Sequence, residues 1–174
     1  MARTFLSVLI LLALLGGALF VSLNQSTAVE ERAELGYRAP AFHVETPSGE
    51  SLDVGTLIGK QPIFINFFES WCPPCRAEMP HIQEAYTKYG DQVAFIIIDP
   101  LTSESMTDML HYIEQSGFTF PVYVDDNKAT VARMYRVGAF PTSFFINKKG
   151  EIINIYPRAM TKDYLESMMR QLVK

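Results

Sequence analysis

Two cysteines, Cys72 and Cys75, stand with two residues between them in a 174-residue sequence that holds no others. Disulfide exchange needs a thiolate that a partner can reach and a second thiol near enough to resolve the mixed disulfide that forms. Residues three apart on the first turn of a helix meet the second need, because their Cα atoms lie within the span a disulfide bridges. A cysteine between an apolar strand and a helix meets the first, since unpaired N–H groups and the positive end of the helix dipole favour its thiolate. Pro73 suits the first helical position, yet Pro73 and Pro74 together withdraw two donors from the sulfur and leave the N–H of Cys75. With no His or Lys between the cysteines, Cys72 is expected to be an exposed nucleophile of moderate strength.

Two other uses of the pair fit less well. Structural zinc needs four ligands, and beyond the cysteines there are only His43, His81 and His111, scattered along the chain, so neither metal nor cofactor is expected. An inert structural disulfide would close so short a loop that it would constrain the unfolded chain little.

The elements that must position the pair are legible on either side of it. Pro62 to Phe68 is an almost unbroken apolar run of strand formers, which predicts a strand covered on both faces and leading directly into Cys72. Residues 73–89 carry Met79, Ile82, Ala85, Tyr86 and Tyr89 at helical spacing, with Gly90 as a stop and Pro80 as an expected kink. Further on, the pattern predicts a strand over 93–98 and a helix over 103–116 with Met106, Met109, Leu110 and Ile113 inward. A short strand over 121–124 and a short helix over 128–135 follow. Strands over 143–146 and 152–156 flank Asn147-Lys148-Lys149-Gly150 as an antiparallel hairpin, and a last helix over 162–173 turns Tyr164, Leu165, Met168, Met169 and Leu172 toward the sheet. Ahead of all this, Phe42-His43-Val44 and Ser51-Leu52-Asp53-Val54 flank Pro47-Ser48-Gly49 as an edge hairpin. Strand, helix, strand followed by two antiparallel strands gives an α/β fold with a mixed central sheet flanked by helices, plus an N-terminal hairpin extension.

Residues 1–23 differ from the rest: Phe5 to Leu23 is apolar but for Ser7, Gly16, Gly17 and Ser22, and Arg3 is the one charged side chain. As a helix this run nearly crosses a bilayer core, so it is expected to be a single N-terminal membrane helix. The alternative is a cleaved signal peptide ending near Ser26-Thr27-Ala28. Either way, Arg3 stays inside and the remainder is expected on the extracytoplasmic side of the cell membrane. Residues 24–36 are polar and aperiodic and read as a linker, which leaves 37–174 as one domain. A net charge of −4 without any Lys/Arg-rich block argues against nucleic acid as a partner.

Trp71-Cys72-Pro73-Pro74-Cys75, the helix proline Pro80 and Phe140-Pro141-Thr142 together resemble the thioredoxin superfamily and, more narrowly, its membrane-anchored ResA/TlpA/CcmG group. Tyr37-Arg38-Ala39-Pro40-Ala41-Phe42, the insertion over 101–120 and Phe144-Phe145-Ile146-Asn147 with Lys149-Gly150 extend the resemblance over the whole span from Gly36. The resemblance implies a thioredoxin-like fold and a catalytic pair, Cys72 and Cys75. It also implies a cis Pro141 opposite them, with Trp71, Phe140 and Pro141 on the substrate-binding face. The residues themselves allow either isomer at Pro141. Glu78 matches an acidic position that lies close to the cysteines in ResA-like proteins, where it would raise a thiol pKa and accept a proton; by itself it could equally be a solvated charge on the helix surface. Asn66 stands where cytoplasmic thioredoxins carry a buried acid. Glu69 departs from the small residue usual before the motif, and it is expected to be exposed at the strand end unless its charge lies near Cys72.

The function this implies is an extracytoplasmic thiol–disulfide oxidoreductase that reduces disulfides in exported proteins, such as apocytochrome c during cytochrome c maturation, and is re-reduced by a thiol-transferring membrane protein. Spore-envelope or other exported proteins are alternative substrates. From other classes, a peroxiredoxin would need Thr or Ser where Glu69 stands, and a copper-binding assembly factor would want a longer gap between cysteines and a well-placed His.

Overall fold

The apolar run ahead of Cys72 forms the centre of the sheet. In a computed structural model that describes residues 30–174, β3 (Ile63–Phe67) is buried along its whole length. Parallel to it runs β4 (Ala94–Asp99), and antiparallel on its other side runs β6 (Thr142–Ile146). Beyond β4 lies β5 (Val122–Val124), parallel; beyond β6 lies β7 (Ile152–Tyr156), antiparallel. The predicted edge hairpin is present as β1 (His43–Glu45) and β2 (Ser51–Asp53), joined to β5 through Glu45 and Val124. The seven strands lie in the order β2-β1-β5-β4-β3-β6-β7, a mixed sheet as the sequence predicts.

Side chains alternate across the pleat, so one strand feeds two cores. Phe64, Phe95, Ile97 and Phe145 face the layer made by helices α1 (Pro73–Tyr89), α2 (Met106–Ser116) and α4 (Lys162–Leu172). The Phe64 ring lies 5.4 Å from that of Phe95 and 5.1 Å from that of Phe145. Ile63, Ile65, Phe67, Ile96, Ile98 and Phe144 face the opposite way, toward Phe42, Val54, Tyr135 and the short helix α3 (Thr130–Met134). Each such Phe or Ile contributes about 1.5–3 kcal/mol by leaving water, which pins β3 and hence the start of α1. Gly150 closes the β6–β7 hairpin at φ +87°, where a Cβ would also meet Ile58 at 2.7 Å.

Helix α2 begins three residues later than predicted, at the Ser105 cap, whose hydroxyl accepts the Asp108 N–H. Residues 102–104 are drawn away to bond the segment before Cys72. Of the four residues expected inward on α2, Met109 is fully buried and Ile113 packs against the core, whereas Met106 and Leu110 are exposed. Helix α3 has no capping side chain at Ala129; Asp125 replaces it, accepting the N–H groups of Val131 and Ala132 at 3.1 and 2.8 Å. Asp125→Ala leaves these buried donors unpaired and is expected to cost about 2 kcal/mol in urea unfolding, with Asp125→Asn costing less because it keeps an acceptor.

Upstream of the sheet, Gly36 N–H donates to Ile152 O and Arg136 pairs with Glu34. Among the described residues no helix is long and apolar enough to cross a membrane. The membrane segment expected over 1–23, and residues 24–29 of the linker expected over 24–36, lie outside the described residues.

Candidate functional site

Strand β3 ends and α1 begins within six residues, and the cysteines sit at that junction. Cys72 is the N-cap of α1, in extended conformation, with proline at the first two helical positions as the sequence predicts. Cys72 and Cys75 are disulfide-bonded, with Cα atoms 5.3 Å apart. The Cys75 N–H, the donor the prolines leave in place, points at Cys72 Sγ from 3.3 Å. In the reduced state this N–H and the helix N-terminus would stabilise a Cys72 thiolate.

Access to the two sulfurs differs from the expectation of an open thiol. Cys72 is only 4% exposed and Cys75 is fully buried. The cover comes from the far end of the chain: the loop before β6 brings Phe140 O to 3.6 Å from Cys72 Sγ, and the Phe140–Pro141 peptide is cis, as the family resemblance implies. Phe140 itself packs against both cores, and Pro141 is buried. Trp71, immediately before Cys72, is 55% exposed. An incoming disulfide therefore meets an exposed indole, the Phe140 carbonyl, and one sulfur that is barely accessible in front of one that is not.

Behind the cysteines lies a buried polar group. Glu78, one helical turn past Cys75, is buried, which rules out the solvated surface charge that its helix position allows. Its carboxylate accepts Asn66 Nδ2 from β3 and the Met160 N–H from the segment ahead of α4, both at 2.8 Å. Asn66 Nδ2 also donates to Ser143 Oγ of β6 at 2.9 Å. Burial pushes the Glu78 carboxyl up to about 7, against the opposing pull of the Met160 and Asn66 hydrogen bonds. Among the described residues Asn66 Oδ1 has no hydrogen-bond partner. The asparagine inside an otherwise apolar strand was the visible signal for this network; Ser143 and the Met160 backbone gave none.

Glu69 departs from its expected place. It is fully buried, not exposed at the strand end. The reason is the loop over 102–104, in which residues 103 and 104 are predicted as helix: Thr102 Oγ1, Ser103 Oγ and the Trp71 indole N–H all donate to the Glu69 carboxylate. In return Glu104 accepts both the N–H and the hydroxyl of Ser70. Asp99, at the end of β4, is buried beside them and accepts the Leu101 N–H at 2.7 Å. Burial pushes the Asp99 carboxyl up to about 8; the Leu101 N–H opposes this, and the neighbouring Glu104 and Glu69 carboxylates add to it. Neither Asp99 nor Glu104 was singled out from the sequence.

Comparison with known proteins points the same way as the geometry. Residues 35–155 match the AhpC/TSA family. The thiol-disulfide oxidoreductase ResA of Bacillus thuringiensis (strain Al Hakam) is 33% identical over 171 residues, covering 98% of this chain and 96% of that one. Thioredoxin-like protein YneN of Bacillus subtilis is 30% identical over 92% of this chain and 94% of its own length. Among solved structures, StoA from Bacillus subtilis superposes with a TM-score of 0.63 at 30% identity, covering 74% of this chain and 96% of StoA. A Chlorobium tepidum protein described as a putative thiol:disulfide interchange protein DsbE superposes with a TM-score of 0.72 over 81% of this chain and 99% of that one. At 24% identity, that likeness speaks for the fold alone.

Proposed function

The chain belongs to the AhpC/TSA family and is a thiol–disulfide oxidoreductase of the ResA type, and we propose that it reduces disulfides in exported proteins, apocytochrome c among them, from the extracytoplasmic face of the cell membrane. The observation that carries this reading is the Cys72–Cys75 disulfide at the start of α1, with one sulfur edging into solvent beneath Phe140 O and the other enclosed.

In the reduced protein the Cys72 thiolate attacks one sulfur of a substrate disulfide; a Cys72–substrate disulfide forms and the substrate's other sulfur leaves as a thiolate. Cys75, deprotonated, then attacks Cys72 Sγ, the mixed disulfide breaks, and the substrate departs with two thiols. Two electrons and two protons have passed to the substrate, and the protein is left in the disulfide form seen here. A thiol-transferring membrane protein returns the pair to the dithiol by the reverse exchange. The exposed Trp71 and the backbone of Phe140 and Pro141 receive the substrate chain. The apolar run over 5–23 supports retention at the membrane with the redox domain outside.

A strain lacking the gene is expected to lose covalently haemylated cytochrome c and to regain it when dithiothreitol is added to the medium. A membrane-impermeant maleimide is expected to label reduced Cys72 in intact cells. Normal cytochrome c in the deletion strain would refute the substrate assignment, and label excluded until the cells are lysed would refute the location.

A further inference from the structure

A carboxylate buried at position 69 has no part in the exchange steps above. No Lys or Arg forms an ion pair with Glu69, Asp99 or Glu104 among the described residues. A buried anion without a cation persists only if hydrogen-bond donors replace its water. Here the donors are Thr102, Ser103 and Trp71, and the bonding is reciprocal, since Glu104 reaches back from the same loop to Ser70. Residues 69–71 and 102–104 thus clasp each other from both sides. Ser103 Oγ lies 3.1 Å from the same indole nitrogen, so the loop and Glu69 converge on one atom of Trp71.

The effect on Trp71 is specific. Its N–H edge is tied down while more than half of the residue stays in solvent, directly beside Cys72. A large amphipathic ring held in one orientation loses little freedom when a partner lands on it, and so contributes more to binding than a free one.

We propose that Glu69 is a positioning residue: through its bonds to Trp71, Thr102 and Ser103 it holds the indole as a rigid wall beside Cys72, which strengthens docking of a disulfide-bearing polypeptide and leaves the exchange chemistry itself unchanged. The inference rests on the oxidoreductase reading and adds a determinant of substrate affinity to it.

Trp71 is the single tryptophan of the sequence, so its fluorescence reports the clasp without any substrate. The test uses Glu69→Ala and Glu69→Gln, with reduction of a synthetic peptide closed by a Cys-X-X-Cys disulfide as the assay and dithiothreitol as reductant. In Glu69→Ala the KM for the peptide is expected to rise about tenfold with kcat within about twofold, and acrylamide quenching of Trp71 to increase about twofold. Glu69→Gln, which keeps an acceptor but no charge, should fall between. If Glu69→Ala does not fold, the double variant Thr102→Ala/Ser103→Ala removes the loop's donors at two exposed positions and is expected to raise KM and quenching in the same sense. A folded variant with the KM and quenching of the wild type overturns the positioning role. A wild-type chain that leaves the peptide oxidised overturns the oxidoreductase reading instead, and the docking role with it.

Discussion

Cys75→Ser is expected to accumulate covalent adducts with its substrates, while Cys72→Ser captures none and reduces peptide disulfides no faster than the uncatalysed background. The asymmetry follows from burial. Attack on an external disulfide requires a sulfur with some path to solvent and a stabilised thiolate, and Cys72 has both the residual exposure and the Cys75 N–H. Cys75 is enclosed, so its thiol meets only the sulfur beside it. Removing Cys75 halts the reaction at the mixed disulfide; removing Cys72 leaves a thiol that no substrate can touch. Loss of the crosslink itself is a minor matter, because closing so short a loop contributes about 2 kcal/mol at most on chain-entropy grounds. Non-reducing gels and mass spectrometry of each variant, purified from cells after acid quenching, read the result. Equal adduct yields from the two variants would show that the enclosed sulfur is reachable and that these roles are wrongly assigned.

Glu78→Gln is expected to slow the second step, release of the mixed disulfide, by about 100-fold at pH 8 and to remove its dependence on pH near neutrality. The wild-type carboxyl, pushed up to about 7 by burial, is neutral below that pH and anionic above it. A Glu78 that serves Cys75 as a base, the role the family resemblance implies, does so only as the anion, so the wild-type rate should climb through about pH 7, whereas glutamine offers no base at any pH. A mixed disulfide with thionitrobenzoate, formed on the reduced protein and followed by release of the yellow anion in stopped flow, measures this step directly. A profile in Glu78→Gln that still bends near pH 7 would assign the proton transfer elsewhere.

The same group has a stability signature of definite sign. Its native pKa is raised from 4.5 to about 7, so the native state holds the proton more tightly than the unfolded chain. The resulting contribution is fully present below about pH 4.5 and is lost as pH rises through about 7, amounting to about 3 kcal/mol for a shift of this size. Asp99, raised in the same direction, adds a slope of the same sign, and subtracting the Glu78→Gln curve from that of the wild type isolates Glu78. Urea unfolding across this range should therefore show wild type losing ground to the variant as pH increases.

Much of the molecule was legible along the chain because the governing pattern is local. The run from Pro62 to Phe68 announced a strand buried on both faces, and Phe64 and Ile65 do face opposite cores. Met79, Ile82 and Tyr89 at helical spacing announced the inner face of α1. Where the reading of residues 103–105 as helix went astray, the competing force was tertiary: Thr102, Ser103 and Glu104 are held by the segment before Cys72, and the helix waits for the Ser105 cap. The burial of Glu69 is hidden for the same reason, since nothing within ten residues of it except Trp71 shows what would replace its water.

By itself the sequence determined that two thiols three positions apart open a helix behind a buried strand, and that sheet and helices of alternating pattern surround them. Only the tertiary structure decided how little of Cys72 a substrate can reach, because the lid over it comes from Phe140, 68 positions away. It alone decided that Glu78 and Glu69 are buried, through partners as distant as Met160, 82 positions from Glu78. Local periodicity records which face of an element turns inward; the dielectric around a charge, and the donors that replace its water, belong to whatever other part of the chain folds against it.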